Sequence, residues 1–430
     1  MLILVVSPSF PRFDATTHYW QAEFASVVAY LRGRFPDDQV AAIPAGLICA
    51  PDRVVLRELL ARPHFLILWS RVFEAPAARH IGLLTREISP QTKILVWGDG
   101  PLFMPQYFGR EPFDGAVVSG DPELVLADAI QRLALGELPR HGMIVHTGGL
   151  WAETGTGHWL DPTRWPFPTP DVIDFDDYRL ARELRGKPTD DLSFDVSRGC
   201  HVGCVWCVDP LKGGRRDRRR PVLATVDFMS QALGRYSQFQ LHGPVFTQDR
   251  GWIEAFVTDL RRRRLVVPFK AVTLVNHLAD ERLVADLALV GMRAVGVGVE
   301  TLTVDRARRP ITPKVAERLL EEVAGNLRKH GVEGKAYTQV GLRGQRREDV
   351  LYTHEVLCEL GFTVRPTGAT PFHLLRSKPV AELDRLDLTR WDRKSYYDPA
   401  CGLSRREFYH LITEPATFAA GNPGSTKEVE

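Results

Sequence analysis

The chain has 430 residues, of which 44% are hydrophobic and 25% are charged, and its formal net charge at pH 7 is +2. This composition is ordinary for a globular protein and excludes a chain that is disordered along most of its length. No apolar run reaches the roughly 18 residues that a membrane-spanning helix needs, so we expect no membrane partner.

The first residues, MLILVVSPSF, are apolar but short and lack a basic leader, so they predict a buried first strand. We therefore expect a cytoplasmic protein with reduced thiols. Arginine is dense in residues 213–221 and 261–264, but acidic residues nearly balance basic ones. This balance disfavours nucleic acid as a partner, and both runs are expected to be solvated loop and helix faces.

Strand-like and helical patterns alternate over residues 1–136. The strand-like runs are LILVVSP, VAAIPA, HFLILWS, KILVWGDG and GAVVSGD. Apolar runs without polar alternation are typical of strands buried on both faces, and the intervening helices favour a parallel sheet. The pattern predicts a doubly wound, Rossmann-like domain of the α/β class, whose ligands would bind at the carboxyl ends of the strands.

Residues 137–190 are rich in proline and tryptophan and predict an extended linker. The strand–helix alternation resumes over residues 191–374, with strand-like runs LSFDV, FQLHGPVF, FKAVTLVN, RAVGVGVE, KAYTQVGL and TVRPTGATPF. Six β/α units predict a partial (β/α)6 barrel with its site at the carboxyl ends of the strands. Residues 375–430 are predicted to form a small C-terminal appendix.

Three of the six cysteines lie in VSRGCHVGCVWCVDP, directly after the first of these strands: Cys200, Cys204 and Cys207. A disulfide is disfavoured in a reducing compartment. A zinc site would need a fourth ligand, for which His201 and His242 are the candidates. An iron–sulfur cluster held by three thiolates would leave one iron without a protein ligand and open to a substrate.

The C-x3-C-x2-C spacing, with Trp206 before the last cysteine, resembles the signature of the radical S-adenosylmethionine (SAM) enzymes. The resemblance implies that Cys200, Cys204 and Cys207 hold a 4Fe–4S cluster whose open iron binds SAM. Reductive cleavage of SAM would then yield a 5′-deoxyadenosyl radical. It also implies an external electron donor such as flavodoxin or ferredoxin.

The resemblance extends over nearly the whole chain, in the segment order of radical SAM enzymes that have an N-terminal cobalamin-binding domain. It implies that residues near the strand ends contact SAM. These are Trp206, Pro244, Asn276, Glu300, Gln339 and Leu342. Simpler structural roles stay open, because Glu300 could cap a helix and the glycines near Leu342 could only shape a turn.

The loop after the first strand departs from the usual cobalamin pattern, D-x-H-x-x-G. Asp14 and His18 are four residues apart, and no glycine follows. Large aromatic residues near the strand ends are expected to fill the groove that a corrin would need: Trp20, Trp69, Trp97, Phe103 and Tyr107. The sequence therefore favours a domain that kept the fold and lost cobalamin.

Within the family, the chain resembles the radical SAM diol dehydratase of aminoglycoside (apramycin-type) biosynthesis. The resemblance implies a small polar substrate, such as an aminoglycoside-like sugar diol, which loses hydrogen to the radical and then a hydroxyl. His242, Asp249 and Tyr337 are the candidates for acid and base. The alternative is a cobalamin-dependent radical SAM C-methyltransferase of secondary metabolism. A tRNA-modifying enzyme is a third hypothesis, which the charge balance disfavours.

Overall fold

The computed structural model describes residues 1–8, 17–44, 51–147, 150–168, 191–204, 207–303 and 315–414. The chain divides into two compact units. Residues 1–244 and 371–391 form the first unit, and residues 245–370 form the second with the chain from Asp392 onward. The domain boundaries expected from the sequence, at 136, 190 and 374, stay predictions.

The amino-terminal part of the first unit alternates strands and helices. The elements are β1 (Leu2–Ser7), α1 (Thr17–Arg34), β2 (Gln39–Pro44), α2 (Pro51–Leu60), β3 (Phe65–Trp69), α3 (Ala75–Ile88), β4 (Lys93–Trp97), α4 (Asp99–Phe103), α5 (Pro105–Phe108), β5 (Gly115–Val117), α6 (Pro122–Ala134), β6 (Met143–Thr147) and β7 (Leu150–Glu153).

These strands form one sheet in the order β2-β1-β3-β4-β5-β6-β7. β1 to β5 are parallel, whereas β6 and β7 pair antiparallel at one edge. The chain changes direction across the sheet between β1 and β3, which is the switch point where such sheets bind ligands. The predicted Rossmann-like region is confirmed. The sequence predicted only an extended linker where β6 and β7 lie.

The core of this sheet comes from the apolar strand runs and one face of α1. Phe24, Val28 and Leu31 of α1 recur at helical spacing and are fully buried with the strand residues. Trp97 at the end of β4 stacks on Phe24, with ring centroids 6.3 Å apart. Burial of this helical stripe against the strands holds α1 on the sheet.

The later elements continue the alternation. They are β8 (Asp191–Asp195), β9 (Ser197–Arg198), α7 (Asp209–Gly213), β10 (Arg218–Arg219), α8 (Val222–Ala232), β11 (Gln238–His242), α9 (Arg250–Arg262), β12 (Phe269–Thr273), α10 (Glu281–Leu289), β13 (Met292–Glu300), α11 (Glu317–Lys329), β14 (Glu333–Val340), α12 (Arg347–Glu359), β15 (Thr363–Gly368), α13 (Val380–Leu383) and α14 (Arg405–Thr413).

All six strands expected over residues 191–374 are present, and they are parallel. β8 pairs with β11 in the first unit. In the second unit β12, β13, β14 and β15 pair in chain order. A helix precedes each of the strands from β11 to β15, so the predicted α/β fold class is confirmed for this region too. Among the described helices, none has the length and apolar character needed to cross a membrane.

The segment after β15 contributes to both units. Phe372 stacks on Phe103 of α4 at 5.3 Å, and the amide of Gln106 donates to the carbonyls of Leu375 (2.9 Å) and Lys378 (2.8 Å). Further along, α14 belongs to the second unit, where Phe408 is buried in a cluster with Val340 and Leu403.

Candidate functional site

The three clustered cysteines lie on the loop that follows β8 and β9. Cys200 is buried, Cys204 and Cys207 are half-buried, and none of them forms a disulfide. The backbone N–H of Cys207 donates to the Cys204 carbonyl at 3.0 Å and closes a turn. The Cys207 thiol donates to Asp209 Oδ2 at 3.3 Å, at the start of α7. Trp206 lies outside the described residues.

The two ends of this loop meet backbone to backbone at glycines. Gly199 has a φ of +91°, and a Cβ there would lie 2.1 Å from the Arg216 carbonyl oxygen. A Cβ on Gly213 would lie 2.4 Å from the backbone nitrogen of Gly199. The Cys200 N–H donates to the Gly214 carbonyl at 3.0 Å. Because only glycine fits such contacts, the sequence forces the cysteines into a closed loop.

The donors of the loop are three thiols, which suit either an iron–sulfur cluster or, with a fourth ligand, a zinc ion. Among the described residues, no three or more His, Cys, Asp or Glu side chains are grouped to hold one metal ion. Zinc would draw its ligands to within about 4 Å of one another, so the zinc hypothesis with His201 or His242 gains no support. In a cluster each thiolate binds a different iron, and the ligands stand further apart. Burial raises the pKa of the Cys200 thiol, so iron binding must displace its proton.

Arg198, two residues before Cys200, is held by carboxylates. Its guanidinium donates to both oxygens of Glu123 at 2.9 and 3.2 Å and to Asp195 Oδ2 at 3.0 Å. Ser26 of α1 donates to the same Glu123 carboxylate at 2.7 Å. Burial alone would lower the pKa of Arg198, but Glu123 and Asp195 raise it well above its ordinary value. The entry to the loop is therefore tied to α6 by a buried ion pair and to α1 by the Ser26 hydroxyl.

The exit from the loop is held in the same way. Arg218 donates to both oxygens of Asp121, at 2.6 and 3.0 Å, and to the Gly213 carbonyl at 3.2 Å. Arg220 is 3% exposed and donates to the Asp195 carbonyl at 2.6 Å. The expectation of a solvated arginine run over 213–221 is therefore wrong for Arg218 and Arg220, because Asp121 and backbone carbonyls distant in sequence hold their side chains inside the fold.

α7 adds a third contact with the amino-terminal region. Lys212 Nζ lies 2.6 Å from Glu23 Oε2 of α1. Burial alone would lower the pKa of Lys212, but Glu23 and Asp195 raise it above its ordinary value.

His242 is the last residue of β11 and pairs in register with Asp195 of β8. It is buried, and burial lowers its pKa to about 4, so the ring is neutral at pH 7. A Cβ on the following Gly243 would lie 2.2 Å from Ser197 Oγ, so the chain leaves β11 in close contact with β9. Pro244 is half-buried at the end of this segment. The catalytic role of His242 stays a prediction.

In the second unit, three polar side chains meet near the carboxyl end of β12. Thr273 ends that strand, His277 follows it, and Thr247 lies in the loop after β11. The hydroxyl oxygens of Thr247 and Thr273 are 2.5 Å apart, and the Thr247 hydroxyl lies 2.8 Å from His277 Nδ1. Both threonines are buried. Sequence reasoning did not single out the threonines, because threonine is common both in strands, where Thr273 lies, and in turns, where Thr247 lies.

Glu300 ends β13 in a conformation that few residues adopt. Its φ is +62°, and the pairing of β13 with β14 shifts register at this point. The carboxyl is half-buried, burial raises its pKa, and Gln339 hydrogen-bonds to it. A positive φ outside glycine is a strain that clusters at functional sites. The conformation is therefore consistent with the predicted role of Glu300 as a cofactor contact.

The turn after β14 is built around Gln345, which sequence reasoning missed. Its Oε1 accepts from the N–H groups of Gly341 (2.8 Å) and Leu342 (3.1 Å), and its Nε2 donates to the Gln339 carbonyl (3.1 Å). Gly341 has a φ of +88°. The glycines shape a turn, as the simpler structural role proposed. No local sequence signal marks Gln345, because its role depends on burial that only the fold provides.

Three further residues predicted for the site are Asp249, Asn276 and Tyr337, and the first two are exposed. Asp249 is exposed and caps α9 by accepting from the Trp252 N–H at 2.9 Å. Asn276 is exposed in the 3-10 helix Val275–Ala279. Tyr337 packs its ring on Gly296, where a Cβ would lie 2.5 Å from it, and burial raises its pKa. Their predicted cofactor and catalytic roles stay predictions.

The predicted site residues thus fall into two sets. The first unit holds Cys200, Cys204, Cys207, His242 and Pro244. The second unit holds Asp249, Asn276, Glu300, Tyr337, Gln339 and Leu342.

Four of the aromatic residues expected to fill a corrin groove lie in the described part of the chain. Trp69 and Trp97 are the last residues of β3 and β4 and are buried in the core cluster. Phe103 stacks on Phe372, and Tyr107 packs on Phe108. The expectation that these four fill a corrin groove stays a prediction. Asp14, the side chain of His18 and that of Trp20 lie outside the described residues.

The carboxyl edge of the first sheet carries polar groups beside its switch point. Ser7 ends β1, and its hydroxyl is buried without a hydrogen-bond partner among the described residues. A Cβ on Gly98 would lie 2.5 Å from the Ser70 carbonyl, so the turns after β3 and β4 pack closely. Asp99 accepts from the Val72 N–H at 3.1 Å, and burial raises its pKa to about 6. An orphaned hydroxyl at a switch point fits a polar ligand there.

The cysteine loop and most of the later β/α units lie within one segment that matches a known family model. Residues 194–357 match the model of the radical SAM superfamily. The resemblance to this family is therefore confirmed for that segment. Closeness to the apramycin-type dehydratase receives no support from the relatives below.

Relatives with known or inferred activity cover most of the chain. An uncharacterized methyltransferase of Pyrococcus horikoshii, PH0819, is 23% identical over 341 residues, which are 75% of this chain and 70% of the relative. The radical SAM methyltransferase TsrM from Kitasatospora setae, solved with tryptophan and a SAM analogue, superposes with a TM-score of 0.66. The two are 18% identical over 85% of this chain and 72% of TsrM.

The cobalamin-dependent SAM radical enzyme OxsB, solved with aquacobalamin and SAM, is similar over 91% of this chain and 56% of its own. The identity is 15% and the TM-score 0.66. At these identities the structural comparisons show the fold. The expectation that cobalamin was lost has no support from them.

Proposed function

We propose that this chain is a radical SAM enzyme that uses cobalamin to transfer a methyl group from SAM to a small molecule. The observation that carries the proposal is the continuous similarity to TsrM across the Rossmann-like region and the radical SAM domain. TsrM is a methyltransferase whose structure has also been solved with cobalamin and a 4Fe–4S cluster. Dehydration of a sugar diol is not favoured by any of these relatives.

Three residues would hold the cluster: Cys200, Cys204 and Cys207. When bound, the cluster would supply the electron that cleaves SAM, and cobalamin would carry the methyl group. The close backbone contacts at Gly199 and Gly213 would hold together the ends of the loop that carries the three thiols. Glu300 and Gln339 are the side chains of the second unit that we propose for contacts with SAM.

The carboxyl edge of the first sheet would hold the cobalamin. One observation supports this place: the buried hydroxyl of Ser7 at the switch point, which has no hydrogen-bond partner among the described residues. Asp99 would offer a carboxyl that changes charge near pH 6. The organic substrate and the electron donor stay predictions: a small polar metabolite, and a flavodoxin or ferredoxin.

The test is anaerobic reconstitution with iron, sulfide and hydroxocobalamin, followed by gel filtration and metal analysis. The wild type is expected to retain about four irons and about one cobalt per chain. It should also convert SAM to S-adenosylhomocysteine when a reductant is present. Retention of iron without cobalt would contradict the cobalamin part of the proposal.

The triple variant Cys200→Ala/Cys204→Ala/Cys207→Ala is expected to lose the iron and keep the cobalt. Cys358→Ala is the matched control, because Cys358 is half-buried on α12 and outside the loop. It should retain iron like the wild type. Survival of the iron–sulfur absorption band in the triple variant would refute the ligand assignment.

A further inference from the structure

Three basic residues flank the cysteine loop, and each pairs with a carboxylate of the amino-terminal region. Arg198 pairs with Glu123 at 2.9 Å, before the loop. Lys212 pairs with Glu23 at 2.6 Å and Arg218 with Asp121 at 2.6 Å, both after the loop. All three pairs lie within the first compact unit. The loop is thus held at both ends by charges that precede it by about 75 to 190 residues.

Two of the three pairs are buried, whereas the side chain of Lys212 in the third is 36% exposed. The side chains of Asp121 and Glu123 are each 1% exposed, and that of Arg198 is 10% exposed. Removal of one partner from such a pair leaves a buried charge uncompensated, which is far more costly than loss of a surface pair. Two of the guanidiniums bind their carboxylates with two hydrogen bonds each, which fixes orientation as well as distance.

The carboxylates are placed where the first sheet presents its ligand edge. Asp121 and Glu123 stand at the start of α6, directly after β5, and Glu23 lies in α1, which follows β1. Helices that follow parallel strands begin at the carboxyl edge of the sheet. The residues that hold the cysteine loop therefore belong to the same edge at which we place the cobalamin.

We propose that Glu23, Asp121 and Glu123 are positioning residues for the 4Fe–4S cluster, which they act on through Lys212, Arg218 and Arg198. The inference rests on the proposed role of the cysteine loop as the cluster site. It assigns the Rossmann-like region a task beyond carrying cobalamin, namely to set the geometry and the electrostatic surroundings of the cluster loop. Groups that hydrogen-bond directly to metal ligands commonly change metal affinity about 10- to 100-fold. These acids act one step further from the cysteines, so we expect an effect at the lower end of that range.

The test compares Glu123→Gln and Glu23→Gln with the wild type after reconstitution with iron and sulfide. Each variant is expected to release iron to a chelator about 10-fold faster. The reduced cluster should also give an altered electron paramagnetic resonance spectrum, or an altered response of that spectrum to SAM. A residue with a merely structural role would lower the melting temperature and leave the spectrum of the folded fraction unchanged.

Three further variants separate positioning from general stability. Asp384→Asn breaks the Arg110–Asp384 pair in the same unit, away from the loop, and is expected to leave the cluster spectrum unchanged. Lys212→Arg keeps the charge opposite Glu23 and is expected to retain iron. The double variant Glu23→Gln/Lys212→Met should release iron no faster than Glu23→Gln alone, because the two residues act as one pair.

The outcomes distinguish this inference from the proposed function. A wild-type protein that assembles no cluster overturns the proposed function and the inference with it. A wild type with a normal cluster, together with Glu123→Gln and Glu23→Gln variants of unchanged iron release and spectrum, overturns the inference alone. The inference would also be contradicted if Glu23→Gln/Lys212→Met released iron faster than Glu23→Gln alone.

Discussion

At the scale of single residues, burial decides which ionisable groups keep their ordinary chemistry. His242 and His354 are both buried, and burial lowers the pKa of each to about 4. Asp99 moves the other way, because burial raises its pKa to about 6. The sequence named His242 as a candidate acid or base. It could not show that the ring is neutral at pH 7, because that depends on neighbours from other parts of the chain.

His354 makes the acid sensitivity of the fold testable away from the candidate site. It is 3% exposed, and its Nε2 lies 3.0 Å from the Thr338 hydroxyl. The unfolded chain takes up the proton near pH 6.5 and the folded chain only near pH 4, so protonation favours unfolding as the pH falls between these values. Between pH 7 and 4 the wild type should lose about 3 kcal/mol more unfolding free energy than His354→Gln.

The measurement is urea denaturation at several pH values, with the exposed His80→Gln variant as control. The control should follow the wild-type pH profile. An His354→Gln profile that is parallel to the wild type down to pH 4 would show that His354 is not the source of the acid sensitivity.

At the scale of elements, the cysteine loop depends on contacts between its own ends. The sequence predicted the strand before the loop and the spacing of the thiols. It did not predict β9 and β10, which pair antiparallel at the base of the loop. Two-residue strands carry no periodicity, so only the closure of the chain on itself defines them. The only sign of this closure in the sequence is the glycine at positions 199 and 213, where the two ends of the loop approach too closely for a side chain.

Gly213→Ala is therefore expected to destabilise the loop, because the added Cβ would lie 2.4 Å from the backbone nitrogen of Gly199. The change should reduce iron retention after reconstitution and lower the unfolding free energy by more than about 1 kcal/mol. Chemical denaturation and iron analysis are the measurements.

Gly325→Ala is the matched control for this substitution. Gly325 is exposed within α11, and a Cβ there would meet nothing within 4 Å. Alanine should stabilise that helix by about 0.5–1 kcal/mol and leave iron retention unchanged. If both alanine variants behave alike, the close approach at Gly213 does not constrain the loop.

At the scale of the whole molecule, the chain after β15 is divided between the two compact units. Residues 371–391 belong with the amino-terminal region, whereas the chain from Asp392 belongs with the later β/α units. The sequence treated residues 375–430 as one appendix of mixed character. No local pattern assigns such a segment to one partner, because the partners of Leu375 and Phe372 lie about 270 residues earlier.

The packing of this segment can be tested with two adjacent leucines of one 3-10 helix, Phe372–Ser377. Leu375 is fully buried and Leu374 is 49% exposed. Leu375→Ala is expected to lower the unfolding free energy by about 2–5 kcal/mol. Leu374→Ala should change it by less than about 0.5 kcal/mol. Equal effects in thermal or urea unfolding would mean that the segment does not pack as described.

The sequence by itself determined the α/β class, the order of the parallel strands along the chain and the three thiols of the loop. These features are local, because the periods of strands and helices and the C-x3-C-x2-C spacing are patterns within short stretches of sequence. Only the tertiary structure decided that Arg198, Lys212 and Arg218 are held by acids of the amino-terminal region. It likewise decided that Trp69 and Trp97 lie in the core and that Gln345 fixes the turn after β14. These contacts join residues that are distant in sequence or on different elements, and only the folded chain fixes the burial and orientation of such pairs.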